Sequence, residues 1–207
     1  MLMTSRLRKI ALMVHITSSI GWLGAVACFL ALTIAGIKSQ NTEIARSMDL
    51  AMNLIAWFVI LPLAIVSLIT GIIQGLGTTW GLFRHYWVLT KLLLTLVATG
   101  ILLLKLPLIS QVAEATLSGA DLPQARMELA VHASGGLLVL LVITTLSVFK
   151  PWGKTRYGQR KQQVFEKHES IASTQRWKYI LGIIVIILVL FLIFKHLIGG
   201  GLGNHLK

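Results

Sequence analysis

The chain has 207 residues, of which 56% are hydrophobic and 13% charged, and its formal net charge is +12. A water-soluble domain of this length carries about a quarter charged residues, so a soluble enzyme is excluded. A nucleic-acid binder is excluded too, because its basic residues would interleave with polar surface instead of lying between long apolar runs. One cysteine, Cys28, sits inside such a run, leaving no intramolecular disulfide and no multi-cysteine metal centre. Metal chemistry here must rest mainly on His, Met or Lys.

A bilayer core about 30 Å thick takes about 20 apolar residues per helix, and five stretches reach that length. They are Ile10–Ile37, Leu50–Leu76, Tyr86–Leu106, Leu129–Phe149 and Tyr179–Ile198. The expected fold is an all-α integral membrane protein, one membrane domain over 1–207, with a four-helix bundle core and a C-terminal fifth helix. The first span is too long and ends too late for a signal peptide, despite the cleavage-like Ala25-Val26-Ala27, and is expected to be retained. Pro62 lies within the second span, and Pro107 and Pro151 lie just beyond the third and fourth, where a missing N–H is either a kink or a stop.

Positive charge marks the cytoplasmic side. Arg6, Arg8 and Lys9 precede the first span, and the 150–178 connection carries Lys150, Lys154, Arg156, Arg160, Lys161, Lys167, Arg176 and Lys178. Five spans put both segments on one side, with the N-terminus inside and the C-terminus outside. Glu43, Asp49, Glu114, Asp121 and Glu128 then fall outside, with Glu166 and Glu169 inside. The 150–178 connection is either a topology signal alone or a surface for anionic lipid head groups, at about 1 kcal/mol per charge, or for a protein partner. The glycine-rich tail from Gly199 has linker composition.

Ionisable groups at membrane depth are costly and face a bundle interior. Here they are His15, Lys91 and His132, with His85, Lys105, Lys195 and His196 near span ends. Counted from Lys9 and His85 at about 1.5 Å per residue, His15 and Lys91 each lie roughly 9 Å inside and can meet across the bundle. On the first span His15, Ser18, Ser19 and Trp22 share one helical face, and on the second Ser67, Thr70, Gly71 and Gln74 repeat that spacing. Lys91 and Thr95 join from the third span, and Thr144, Thr145 and Ser147 from the fourth. Gly21, Gly24, Gly71 and Gly75 would permit close helix contact or admit a flat cofactor.

Each group also has a purely structural reading. Ser and Thr bond back to their own helix carbonyls, Gln74 bridges helices, Lys91 snorkels to head groups, and His85-Tyr86-Trp87 forms an interfacial belt. A weaker second site, for a metal or a second haem that would let electrons cross the membrane, pairs His132 with His196 toward the outer face. The strings Val14-His15-Ile16-Thr17-Ser18 and Val131-His132-Ala133-Ser134 run oppositely through the membrane, as an inverted repeat would.

Haem uses these residues economically. Its iron takes His15 as an axial ligand with either a deprotonated Lys91 or another histidine as the second, its ring needs an apolar slot, and its propionates need cations such as Arg84 and His85 at the rim. Copper competes, since imidazole and soft sulfur suit it, but Met13 turns to another face of the helix and Cys28 is more than three turns from His15. Zinc motifs are absent from the sequence.

His15 followed by Trp22-Leu23-Gly24, with Trp87 and Lys91 opening the third span, resembles a group of small bacterial membrane proteins. That group includes the HemJ-type protoporphyrinogen oxidases and the CopD copper-resistance domains, and the chain looks nearest to an uncharacterised branch of it. The resemblance covers about Arg6 to Leu106. It implies a bacterial cytoplasmic membrane protein with haem b on His15 and Lys91, or copper handling in the CopD manner. Where the HemJ type has a Tyr-His pair late in its third helix and an Asn-Glu-x-Pro element before its fourth, this chain has Thr99-Gly100 and Arg126-Met127-Glu128-Leu129. The implied role is therefore electron transfer or haem-linked redox chemistry, with a redox partner the sequence does not name, a cofactor-free accessory subunit as the plainest alternative, and homo-oligomers allowed. If 150–178 recognises anionic lipid, the protein binds anionic vesicles in a salt-sensitive way; salt-insensitive binding leaves the loop a topology signal only.

Overall fold

In a computed structural model of the chain, residues 4–77 and 85–149 are described. The 150–178 connection, the fifth span, Arg84, Pro151 and His196 lie outside the described residues. Among those described, the backbone is helical between short connections: α1 (Ser5–Lys38), α2 (Thr42–Ile55), a π-helical turn (Ala56–Ile60), α3 (Leu61–Gly77), α4 (Tyr86–Leu117) and α5 (Pro123–Phe149). α2, the π turn and α3 run on as one rod. Four helical rods are thus long and apolar enough to cross a membrane, which makes this a multi-pass membrane protein.

The connections are set by local chemistry. Asn41 caps α2, its side-chain oxygen accepting the N–H groups of Glu43 (2.9 Å) and Ile44 (3.4 Å), while Glu43 complements the helix dipole. α4 ends in a Schellman turn: Gly119 N–H donates to the Thr116 carbonyl (3.2 Å) and Ala120 N–H to the Ala115 carbonyl (2.9 Å). Gly119 sits at φ +83°, where a side chain would be strained. Pro123 opens α5, the one helical position where a missing N–H costs nothing.

The prolines depart from the boundaries expected above. Pro62 neither stops nor sharply ends its span. It follows the π turn, in which Leu61 N–H donates to the Ala56 carbonyl, and the helix runs on through it to Gly77. Pro107 is not a stop either: α4 continues to Leu117 instead of ending at Leu106. An interior proline costs about 3 kcal/mol, but Leu106, Ile109, Val112, Ala113 and Thr116 on both sides of it are buried, and that packing carries the helix through. α5 likewise begins at Pro123, ahead of Leu129.

Around the bundle, α1 touches α2, α3 and α5, and α4 touches α2, α3 and α5, whereas α1 and α4 share no such contact. They therefore face each other along a diagonal. Trp22, Val26 and Phe29 of α1 meet Met52, Ala56, Ile60 and Ala64 of the second rod, Leu106 and Ile109 of α4, and Leu129 and Leu140 of α5 in one core. Outward positions such as Phe58, Leu104 and Val148 are exposed, as a lipid-facing surface requires.

A buried ion pair ties α2, α4 and α5 at the end of the bundle where the two short connections lie. Asp49 is 1% exposed and accepts bonds from Arg126 Nε (2.8 and 3.1 Å) and Nη2 (2.5 Å) and from Thr116 Oγ1 (2.6 Å). Arg126 Nη1 also reaches Asp121 at 2.6 Å. Removing one partner leaves a buried charge uncompensated, so Arg126→Met should cost about 3–5 kcal/mol. Thermal unfolding in detergent should show that loss, and Asp49→Leu with Arg126→Met should recover much of it; a silent single variant would show the pair does not brace the bundle.

Candidate functional site

His15 lies on α1 with its ring against α3. Its Nδ1 is 3.0 Å from the Ser67 carbonyl oxygen and 3.1 Å from Thr70 Oγ1. A carbonyl can only accept, and the Thr70 hydroxyl spends its own proton on the carbonyls of Val66 (2.6 Å) and Ser67 (3.2 Å). Nδ1 is therefore the donor, and the neutral ring carries its lone pair on Nε2. A hydrogen bond of this kind is what orients a ligating imidazole and sets which nitrogen can bind metal.

The rest of the expected face holds α1 and α3 together. Ser19 and Ser67 share a hydroxyl contact of 2.7 Å, Gln74 Nε2 donates to the Ala11 carbonyl (2.9 Å), and Ser18 bonds back to the His15 carbonyl (3.1 Å). Gly71 makes room for the ring, since a Cβ there would stand 3.2 Å from His15 Cε1. Trp22, two turns along, is buried in the core.

Lys91 comes from the first turns of α4. It also stands over the Trp87 ring at 5.8 Å, with the His85 ring 6.2 Å from that of Trp87. His85, Trp87 and Lys91 thus gather at the start of α4. Other hydroxyls take the structural reading: Thr95, Thr144, Thr145 and Ser147 bond to carbonyls four residues back in their own helices, at 2.8 to 2.9 Å.

His132 lies toward the far end of the bundle. Its Nδ1 donates to the Glu128 carbonyl at 2.8 Å, while the Glu128 carboxylate pairs with Lys105 at 2.6 Å. The second site thus includes Lys105 and Glu128, which the linear spacing does not bring together. Lys105 and His132 border a small, mostly apolar pocket between α1, α4 and α5. Among the described residues no three His, Cys, Asp or Glu side chains converge as a metal cage.

Gly71→Ala tests how closely α3 fits His15. Helix propensity gains about 1 kcal/mol, so thermal stability should hold, while the methyl displaces the ring. Loss of a hydrogen-bonded Nδ1 proton in nitrogen-15 NMR of labelled histidine is the expected result, and a retained proton would show the glycine is not needed. Comparison with protein-family models, curated proteins and solved structures finds no match to this chain, so its function is read from the site itself.

Proposed function

We propose that this chain holds haem b between its helices, with His15 and Lys91 as axial ligands, and serves electron transfer or haem-linked redox chemistry. The observation that carries the reading is the bond from His15 Nδ1–H to the Ser67 carbonyl, 3.0 Å long, which presents Nε2 as the coordinating nitrogen. Lys91, on α4 across the diagonal from α1, is the second ligand in this reading. One histidine with one amine suffices for a six-coordinate haem, whereas a metal bound by protein side chains alone needs three or more ligands.

The residues divide the work. Ser67 and Thr70 hold the imidazole by Nδ1, Gly71 leaves space beside it, and Gln74 and Ser19 keep α1 and α3 in register. Ser18 and Trp22 complete that face of α1. Arg84 and His85 are the cations assigned to propionates. Bound there, haem supplies one-electron chemistry at a potential set by its axial ligands and burial.

The reading extends the resemblance to the HemJ and CopD group, without the porphyrinogen-oxidising activity, since Thr99-Gly100 replaces the Tyr-His pair. The cell membrane, in this reading, is the bacterial cytoplasmic membrane, with the N-terminus inside. Copper handling has weaker support: Met13 is exposed at 62% and Cys28 is exposed too, so neither sulfur stands with His15. His132, with His196, is the place for a second haem in this reading.

An absorption spectrum of the purified protein is the test. A Soret band with α and β bands on reduction is expected, and His15→Ala and Lys91→Ala should each lose or shift it. A colourless, copper-bearing preparation would overturn the reading, and an unchanged spectrum in both variants would overturn the axial pair.

A further inference from the structure

At the end of the bundle where the two short connections lie, a cavity of about 280 Å³ opens between the end of α1, the first turns of α2 and α5, and the α4–α5 turn. Sites for drug-sized ligands run from about 300 to 1,000 Å³, so this one suits a smaller polar group. Arg46, Asp121 and Arg126 line it together with the apolar side chains of Ile37 and Met127. At about 1.5 Å per residue, α1 with 34 residues and α4 with 32 are each roughly 50 Å long. The hydrocarbon core of a bilayer is about 30 Å thick and head groups extend it to about 40–45 Å, so the cavity at these helix ends lies in the head-group layer.

The charges in the cavity are not equally engaged. Arg126 gives Nε and Nη2 to Asp49 and Nη1 to Asp121, which commits its charge to carboxylates of the protein. Arg46 has only a 3.5 Å contact from Nη1 to Glu43, between side chains 43% and 80% exposed, and such a surface pair holds weakly. Its Nη2 stands 3.6 Å from the place of a Cβ on Gly119, so the missing side chain there leaves the guanidinium room at the cavity wall. Asp121 takes Arg126 on Oδ1, and its second carboxylate oxygen can accept from another donor. One cation and one carboxylate, on different elements, therefore face the same space. Their complement is a molecule that carries an anionic oxygen and an N–H cation a few bonds apart. Below the cavity the surface turns apolar: Ile34 lies one turn from Ile37 on α1 and Val131 one turn from Met127 on α5, and Ile34, Met127 and Val131 are exposed. The same molecule thus needs a hydrocarbon tail.

We propose that this cavity binds the head group of a phosphoethanolamine lipid, its phosphodiester at Arg46 and its ammonium at Asp121. Bound so, the lipid joins α2 to the α4–α5 turn. The site stands independently of the haem reading. Full-length protein in detergent is titrated with short-chain phosphatidylethanolamine, phosphatidylcholine and water-soluble O-phosphoethanolamine, and bound molecules are counted by native mass spectrometry. Wild type should bind one phosphatidylethanolamine about tenfold more tightly than phosphatidylcholine, whose quaternary nitrogen has no N–H for Asp121, since a hydrogen bond to a charged group is worth about that factor. Arg46→Met should weaken both lipids about tenfold by the same reasoning. Asp121→Asn should erase the preference and Asp121→Glu should keep it, and both side chains are exposed enough for the fold to hold. Equal binding of the two lipids by wild type, or unchanged binding in both Arg46→Met and Asp121→Asn, would overturn the proposal. Displacement of the lipid by an equal concentration of O-phosphoethanolamine would overturn it as well, by assigning the cavity to a soluble phosphate ester.

Discussion

Within a bilayer no water takes up an unpaired hydrogen bond, and the placement of polar groups in this bundle follows from that constraint. Asp49 meets it most fully, buried with two bonds to Arg126 Nε, one to Nη2 and one to Thr116, and so ties α2, α4 and α5 at one end. A carboxylate so placed is tolerable only with its partners, which makes the pair a fixed point for three helices. Where α1 meets α3, the same constraint is met by uncharged contacts: His15 to Ser67, Ser19 to Ser67, and Gln74 to Ala11.

Polar groups satisfied within their own helix say little about helix contacts. Thr95, Thr99, Thr144, Thr145 and Ser147 are of this kind, each returning its hydroxyl proton to a carbonyl one turn back. Groups satisfied across helices locate the interfaces and the site. The two histidines illustrate the difference. Both donate from Nδ1 to a carbonyl, but His132 uses Glu128 of its own helix, whereas His15 needs Ser67 of another rod and so depends on the α1–α3 contact. That dependence suits a ligand whose direction must be held by the whole bundle.

Much of the architecture was legible without coordinates, because helix length and apolar content answer to the thickness of a membrane. The first four spans, the shared face of His15, Ser18, Ser19 and Trp22, and the matching face of α3 are all periodicity read along one helix. Span ends were less legible. Pro107 looked like a stop because the cost of an interior proline is local, while the packing of Leu106, Ile109 and Val112 that offsets it is not. Asp49 read only as an acid of the outer side and Arg126 took no role, since nothing in a linear string shows that residues 77 positions apart will neutralise each other. Lys105 with Glu128 escaped notice for the same reason.

Chain-local chemistry therefore settled that the protein crosses a membrane and roughly where, and it singled out His15 and Lys91 as ionisable residues within apolar helices. Which nitrogen of His15 is presented, which hydroxyls turn back on their own helices, and where the bundle leaves a cavity were decided by the fold. Periodicity is a property of one helix and can be counted; a hydrogen-bond partner or a void is a property of several helices and exists only after they pack.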